Sequence, residues 1–397
     1  MADIDRLLKH LKETGGSDLH LATGLEPRIR RHGSLEVIDG EPVLTQQAME
    51  RLLAGITNPK QWEEYGKTRD LDFAYGLEGV ARFRANYLWQ ENGPGAVFRI
   101  IPEKIVPLEN LNLPPAIEKL AHMTSGLVLV TGPTGSGKST TLASIIDKIN
   151  NTYARHIVTI EDPVEFVHQN KKSILSHREI GTHSNSFAPA LRAAVREDAD
   201  VVLVGEMRDL ETIGMAITAA EMGVLVFGTL HTNNAAKTID RIIDAFPADQ
   251  QEQVRTTLSE GIAAIMSQLL IPAADGKGRH ASIELLLKTQ GLPNVIREGN
   301  TPMLYSIIQA GKQMGMQTMD EALMALAQAG KIAPQDAHAR ATEKQKFEAL
   351  LKGGAGGGHA AAGGHGAAGA PTSVAGAPAK PAGGHAVAEP DDEEKAA

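Results

Sequence analysis

No cysteine occurs among the 397 residues, which excludes disulfides, thiolate-bound zinc and thiol chemistry. Aromatic residues make up only 4% of the chain, so stacking platforms for single-stranded nucleic acid are scarce. Positive charge is not in surplus either: the formal net charge is −9 and the pI is near 5.9. A dominant nucleic-acid surface is therefore not expected, although a local basic channel remains compatible with this balance. No stretch approaches the ~18 continuous apolar residues of a membrane span. The longest candidates, 225–230 and 262–271, are short and broken by Gly, Ser or Gln. The first twenty residues carry Asp3, Asp5, Arg6, Lys9, Lys12, Glu13 and Asp18, with no apolar signal core. These absences predict a soluble cytoplasmic protein, long enough for two or three domains whose cores need no staples.

What is present centres on residues 132–139, Gly-Pro-Thr-Gly-Ser-Gly-Lys-Ser, a complete G-x-x-x-x-G-K-S phosphate loop. The apolar run 127–130 leads in and a helix-compatible stretch, 139–150, leads out, which is the context the pattern requires. Gly132, Gly135 and Gly137 let the backbone approach a polyphosphate with successive N–H groups pointing at its oxygens. Thr134, Ser136 and Thr140 complete the predicted binding set. Lys138 would reach the β- and γ-phosphates, and Ser139 would hold Mg²⁺. The predicted ligands are ATP and Mg²⁺.

Residues 1–101 read as a small α+β domain, with a helix at 5–14 and strands at 18–21, 28–31, 70–75, 81–89 and 96–101. Pro102, Pro107, Pro114 and Pro115 punctuate a linker over 102–115. From 116 to 290 the pattern is α/β. Strands at 127–131, 157–161, 201–204 and 225–229 alternate with helices, which implies a parallel sheet covered on both faces. A hairpin is expected at 271–285. The segment 291–352 is assigned to a helical C-terminal region, with a small bundle over 303–351 and a turn at Met314-Gly315-Met316. Residues 353–397 collapse into Gly, Ala, Pro and His and end in Asp391-Asp392-Glu393-Glu394, a composition that predicts disorder. His359, His365 and His385 in this tail offer at most weak metal binding.

Three further clusters sit at predicted strand ends, where an open α/β sheet places its ligand. Glu161-Asp162-Pro163-Val164-Glu165 supplies three carboxylates that suit Mg²⁺ and an activated water, or form a solvated acidic turn. Four apolar residues, 201–204, lead into Gly205-Glu206, a Walker-B-like strand whose acid would hold Mg²⁺ through water. His231, directly after the strand at 225–229, either senses a γ-phosphate or is a satisfied structural histidine.

Taken together, the phosphate loop, the acidic box at 159–166, the strand and acids at 203–212, the histidine box at 228–232, the stretch 236–241 and Gly16-Ser17-Asp18-Leu19-His20 closely resemble the secretion ATPases. Within them they are most similar to the type IV pilus retraction ATPases, the PilT family, over residues 1–350. The resemblance implies a homohexameric motor with a PAS-like N-terminal domain and a RecA-like ATPase domain, hydrolysing ATP to depolymerise a pilus in twitching motility. It implies Glu165 as general base, Glu206 as support for Mg²⁺ and His231 as a sensor of nucleotide state. It also implies arginines of the N-terminal domain, Arg84 and Arg99, reaching the nucleotide. Implied partners are an inner-membrane pilus platform protein, engaged peripherally from the cytoplasm, and a paralogous retraction ATPase, with no nucleic acid.

Three positions depart from the family pattern. Val224 stands where a second histidine is usual, Asn92 where an arginine is frequent, and Pro293 replaces an arginine in the retraction motif (here Gly291 to Glu298). Proline breaks a helix interior unless it lies in the first turn. The alternatives are an accessory retraction ATPase of the PilU kind, a nucleic-acid motor with a RecA-like core, and a regulatory subunit that binds nucleotide without turnover. The longer, four-cysteine pilus extension ATPases are disfavoured by the cysteine-free chain, and a small-molecule kinase by the lack of any recognisable acceptor pocket or lid.

Overall fold

The computed structural model describes residues 2–102 and 104–353. The expectations of a disordered tail and of its histidines as metal ligands therefore fall outside the described residues. Two sheets organise the rest, and both lie within one compact unit.

The first sheet is built from β1 (Asp18–Ala22), β2 (Arg28–Arg31), β3 (Ser34–Val37), β4 (Leu71–Leu77), β5 (Ala81–Gln90) and β6 (Gly93–Ile101). Its order is β3-β2-β1-β6-β5-β4 and every neighbouring pair is antiparallel. Alternation along β5 buries Ala81, Phe83, Ala85 and Tyr87 and turns Arg82 and Arg84 to the opposite face, the pattern of a sheet with one core face and one polar face. Helices Asp5–Glu13, Gln46–Ala54 and Pro59–Thr68 supply Leu7, Leu8, Leu11, Met49, Leu53 and Tyr65 to the core on that buried side. The third helix starts at a capping box: Asn58 accepts from Gln61 N, Gln61 reaches back to Asn58 N, and Pro59 sits in the first turn.

The second sheet comprises β7 (Gly126–Thr131), β8 (His156–Glu161), β9 (Ile174–Glu179), β10 (Val201–Val204), β11 (Leu225–Leu230), β12 (Ile262–Pro272) and β13 (Arg279–Leu287). Its order is β13-β12-β7-β11-β10-β8-β9, parallel throughout except for the β12–β13 hairpin. The central strands β10 and β11 are buried along their whole length, as expected for strands covered on both faces. The α/β architecture matches the sequence expectation. The hairpin is longer than expected: its first strand begins at Ile262 and its second ends at Leu287.

The segment 102–115 is not a free linker. Leu108 is buried in the core of the second sheet, and Val106 O accepts from Ser144 Oγ at 2.6 Å. The C-terminal helices also differ from a single bundle. Leu292–Arg297 and Leu304–Ala310 pack into the large core through Leu292, Ile296, Leu304 and Ile308. The later helices, Met319–Gln328 and Pro334–Arg340, close a separate core with Ile271, Leu323, Ala337 and Phe347. Gly315 turns the chain between the two groups at φ 92°, as expected of Met314-Gly315-Met316. No described helix is long and apolar enough to cross a membrane.

Because Phe347 is fully buried in that separate core, Phe347→Ala should cost about 3–5 kcal/mol there and leave nucleotide affinity unchanged. Hydrogen exchange of residues 319–340 measures this, and unaltered protection would contradict the division into two cores.

Candidate functional site at the carboxyl edge of the second sheet

The register of the buried strands decides where the site lies. Val204 pairs with Ile160 on one side and Gly228 on the other, and Leu230 pairs with Thr131. Glu161, Glu206, His231 and Gly132 therefore leave adjacent strands at one edge, the crevice in which an open α/β sheet binds ligands.

The phosphate loop leaves β7 with Gly132, Gly135 and Gly137 at φ 141°, 77° and 88°, values that favour glycine. A Cβ on Gly132 would collide with Gln268 O, and one on Gly137 would lie 2.8 Å from Gln268 Nε2. The helix Lys138–Thr152 follows with no side-chain cap on its first amides, which leaves its positive end open to an anion. Ser136 Oγ is buried without a hydrogen-bond partner, whereas Thr134 and Gly135 form the exposed tip. Lys138 is buried, and its Nζ donates to Gly132 O at 2.7 Å and Pro133 O at 3.2 Å. Burial lowers the Lys138 pKa against the opposing pull of Glu206 and Glu165. An orphaned hydroxyl, a cradle that excludes Cβ atoms and a buried lysine fit a polyphosphate.

Gln268 went unnoticed in the sequence. It is buried on β12, accepts from Thr141 Oγ1 at 2.9 Å and donates to Ser136 O at 2.8 Å, so it braces the loop from the neighbouring strand. Nothing in the local sequence announces this, since the brace spans more than 120 positions.

Ser139 of the loop helix lines one cleft with Glu161, Glu165, Glu206, Arg84 and Arg208. Glu161 and Glu206 differ in how readily they ionise. Burial pushes Glu161 up to about 7, only partly offset by hydrogen bonds from Glu165 N at 3.2 Å and from Thr159. Glu206 is also disfavoured by burial, but Arg208 Nη2 at 2.6 Å and His231 Nε2 at 3.0 Å outweigh this and hold it below the usual carboxylate range. Glu165, which lines the same cleft, is half-buried. Thr140 lies in the first turn of the loop helix and its carbonyl accepts from Ser144 Oγ.

Of the two arginines expected near the nucleotide, Arg84 lines the cleft and lies 3.8 Å from Asp72. Arg99 does not line the cleft. It pairs with Arg84 across β5 and β6, and its Nε donates to Asp18 Oδ1 at 2.7 Å. Val224 is buried immediately before β11, at the opposite end of that strand from His231. A histidine there would lie about 23 Å from His231, given ~3.3 Å per strand residue. Pro293 falls in the first turn of its helix, where its missing N–H costs nothing, and Asn92 is exposed in the turn between β5 and β6.

Folding binds a proton to Glu161 more tightly than the unfolded chain does, so its ionisation opposes folding. That penalty is absent below about pH 4.5 and fully present above about pH 7. Glu161→Gln should therefore raise the urea midpoint at about pH 8, by up to roughly 3 kcal/mol in stability, and change it little near pH 4.5. A variant less stable than wild type at the higher pH would contradict this.

Comparison with known proteins agrees with this geometry. The family model for type II/IV secretion system proteins matches residues 2–358. The type IV pilus retraction ATPase PilT of Pseudomonas aeruginosa is 47% identical over 345 residues, spanning 87% of this chain and 100% of that protein. A twitching motility protein of Neisseria gonorrhoeae is 50% identical over 321 residues, 81% of this chain and 86% of its own. A crystal structure of the pilus retraction motor PilT with bound ADP superposes with a TM-score of 0.81 at 43% identity, covering 88% of this chain and 99% of that one. The cleft between phosphate loop and acidic edge thus stands in a chain that belongs to the type II/IV secretion system protein family and, within it, to the pilus retraction ATPases.

Proposed function

We propose that the chain is a homohexameric motor that hydrolyses ATP to retract type IV pili. The observation that carries this reading is the cleft in which Ser139, beside Lys138, faces Glu165 and Glu206. Phosphate-loop amides and Lys138 bind the polyphosphate, and Ser139 with Glu206 would hold Mg²⁺. When bound, Mg²⁺ neutralises charge on the β- and γ-phosphate oxygens. Glu165 orients the attacking water and takes its proton. His231, bonded to Glu206, is placed to register whether that carboxylate is engaged. Arg84 brings a cation to the rim of the cleft, and Arg99 is kept oriented by Asp18 for a contact with the nucleotide of a neighbouring subunit.

The all-antiparallel sheet of residues 1–101 is the PAS-like domain of this reading, and the segment 116–290 its RecA-like domain. Retraction is favoured over an accessory role because Pro293 is accommodated in a first turn and leaves the helix of the retraction motif intact. The motor would work in the cytoplasm at the inner-membrane base of the pilus, against a platform protein and beside a paralogous retraction ATPase.

Steady-state turnover of the purified protein, measured with its oligomeric mass, tests the assignment. Glu165→Gln is expected to form the same hexamer and bind nucleotide but to lose about 10²–10⁴-fold in turnover. In cells lacking the wild-type motor, that variant should leave labelled pili extended. Wild-type turnover in the variant would remove Glu165 as the base, and a monomeric enzyme would remove the ring.

A further inference from the structure

Arg82 precedes the cleft arginine by two residues and has no part in the chemistry described above. It projects from the same polar face of β5 as Arg84 but ends elsewhere. Its Nη1 donates to Val164 O at 3.0 Å, and its Nη2 lies 3.7 Å from Glu179 Oε2. The same Glu179 oxygen accepts from Val164 N at 3.1 Å. Val164 is the residue before Glu165, whose own N–H is held by Glu161 Oε2 at 3.2 Å. Three side chains therefore strap the segment that carries Glu165. Glu161 and Glu179 come from the carboxyl ends of β8 and β9, whereas Arg82 comes from the N-terminal sheet.

We infer that Arg82 is a positioning residue through which the N-terminal sheet holds Glu165 at the cleft, so that this one contact governs turnover without governing nucleotide affinity. The pair it forms with Glu179 is sheltered, with side chains 26% and 11% exposed, against 44% and 46% for Arg84 and Asp72. A sheltered charge-assisted contact holds geometry better than a rim pair that water competes for. The guanidinium is suited to the task because its planar fork serves a carbonyl and a carboxylate together, which an ammonium on a flexible stem does less well. The hydrogen bond and ion pair of Arg82 go to Val164 and Glu179, not to the phosphate loop or its Gln268 brace, which is why binding is spared. A base displaced by about 1 Å costs on the order of 100-fold in rate, so the strap acts on turnover directly. This inference rests on Glu165 being the base.

The test compares Arg82→Gln and Arg82→Lys in the full chain, in wild-type and Glu165→Gln backgrounds, reading kcat for ATP and the dissociation constant for ADP. Arg82→Gln is expected to lower kcat about 30-fold while the dissociation constant stays within about twofold, and Arg82→Lys to recover part of the loss. On the Glu165→Gln background the residual turnover should not fall further, since both changes act through one group. Unchanged kcat in Arg82→Gln, an equal loss of affinity and turnover, or a full additional loss on the Glu165→Gln background would each overturn the inference. If Arg82→Gln does not fold, Glu179→Gln carries the test. It keeps an acceptor for Val164 N but removes the charge facing Arg82, and it should lower kcat without changing affinity; unchanged kcat there would also overturn the inference. Glu165→Gln alone judges the base assignment: near-wild-type turnover in that single variant would defeat the base reading, independently of what Arg82 does.

Discussion

Everything at the site depends on the register of four buried parallel strands, β8, β10, β11 and β7. Their pairing fixes which residues leave the sheet side by side, and it brings Glu161, Glu206, His231 and Gly132 to one edge. Slipping one strand by a single residue would turn its side chains to the other face. Complete burial on both faces makes that slip costly, since apolar side chains fill both layers. The chemistry is thus held in place by packing far from the reacting groups. Gln268 extends the same logic, since a buried amide on β12 ties the phosphate loop to the strand beside it.

Burial also sorts the carboxylates of the cleft. Glu161 and Glu206 end neighbouring strands, yet one is pushed up and the other held down. The difference lies in partners: Glu206 has Arg208 and His231 in direct contact, while Glu161 has a backbone amide and a hydroxyl from its own segment. An ionised Glu206 suits a cation-binding task. A Glu161 that ionises only with difficulty is better fitted to hold the Glu165 segment than to carry charge.

Much of this was legible in the sequence where the signal is local. The phosphate loop, the buried strands and the acids after them are contiguous, and their spacing alone set them at strand ends. The edge strands β3 and β9 escaped notice because edge strands bury little: β9 reads Ile-Leu-Ser-His-Arg-Glu with only its last residue buried. Helix Pro59–Thr68 had a visible signature in Asn58, Pro59 and Gln61, but its body is too polar to show a helical period. Gln268, the Arg82 strap and the split of the C-terminal helices into two cores join residues distant in sequence, and no local pattern encodes them. Arg84 and Arg99 share a family pattern and sit opposite each other in register, but Asp18 holds Arg99 while Arg84 lines the cleft.

The central claim is that ATP is bound and cleaved where the phosphate loop meets the acidic edge of the second sheet. The most direct measurement is phosphate release from ATP by the purified chain, wild type beside Lys138→Ala, with nucleotide binding followed in the same samples. The account predicts turnover in the wild type and loss of both binding and turnover in the variant, because Lys138 is the buried cation of the loop. Phosphate release at the wild-type rate by Lys138→Ala would contradict it and place the chemistry elsewhere in the molecule.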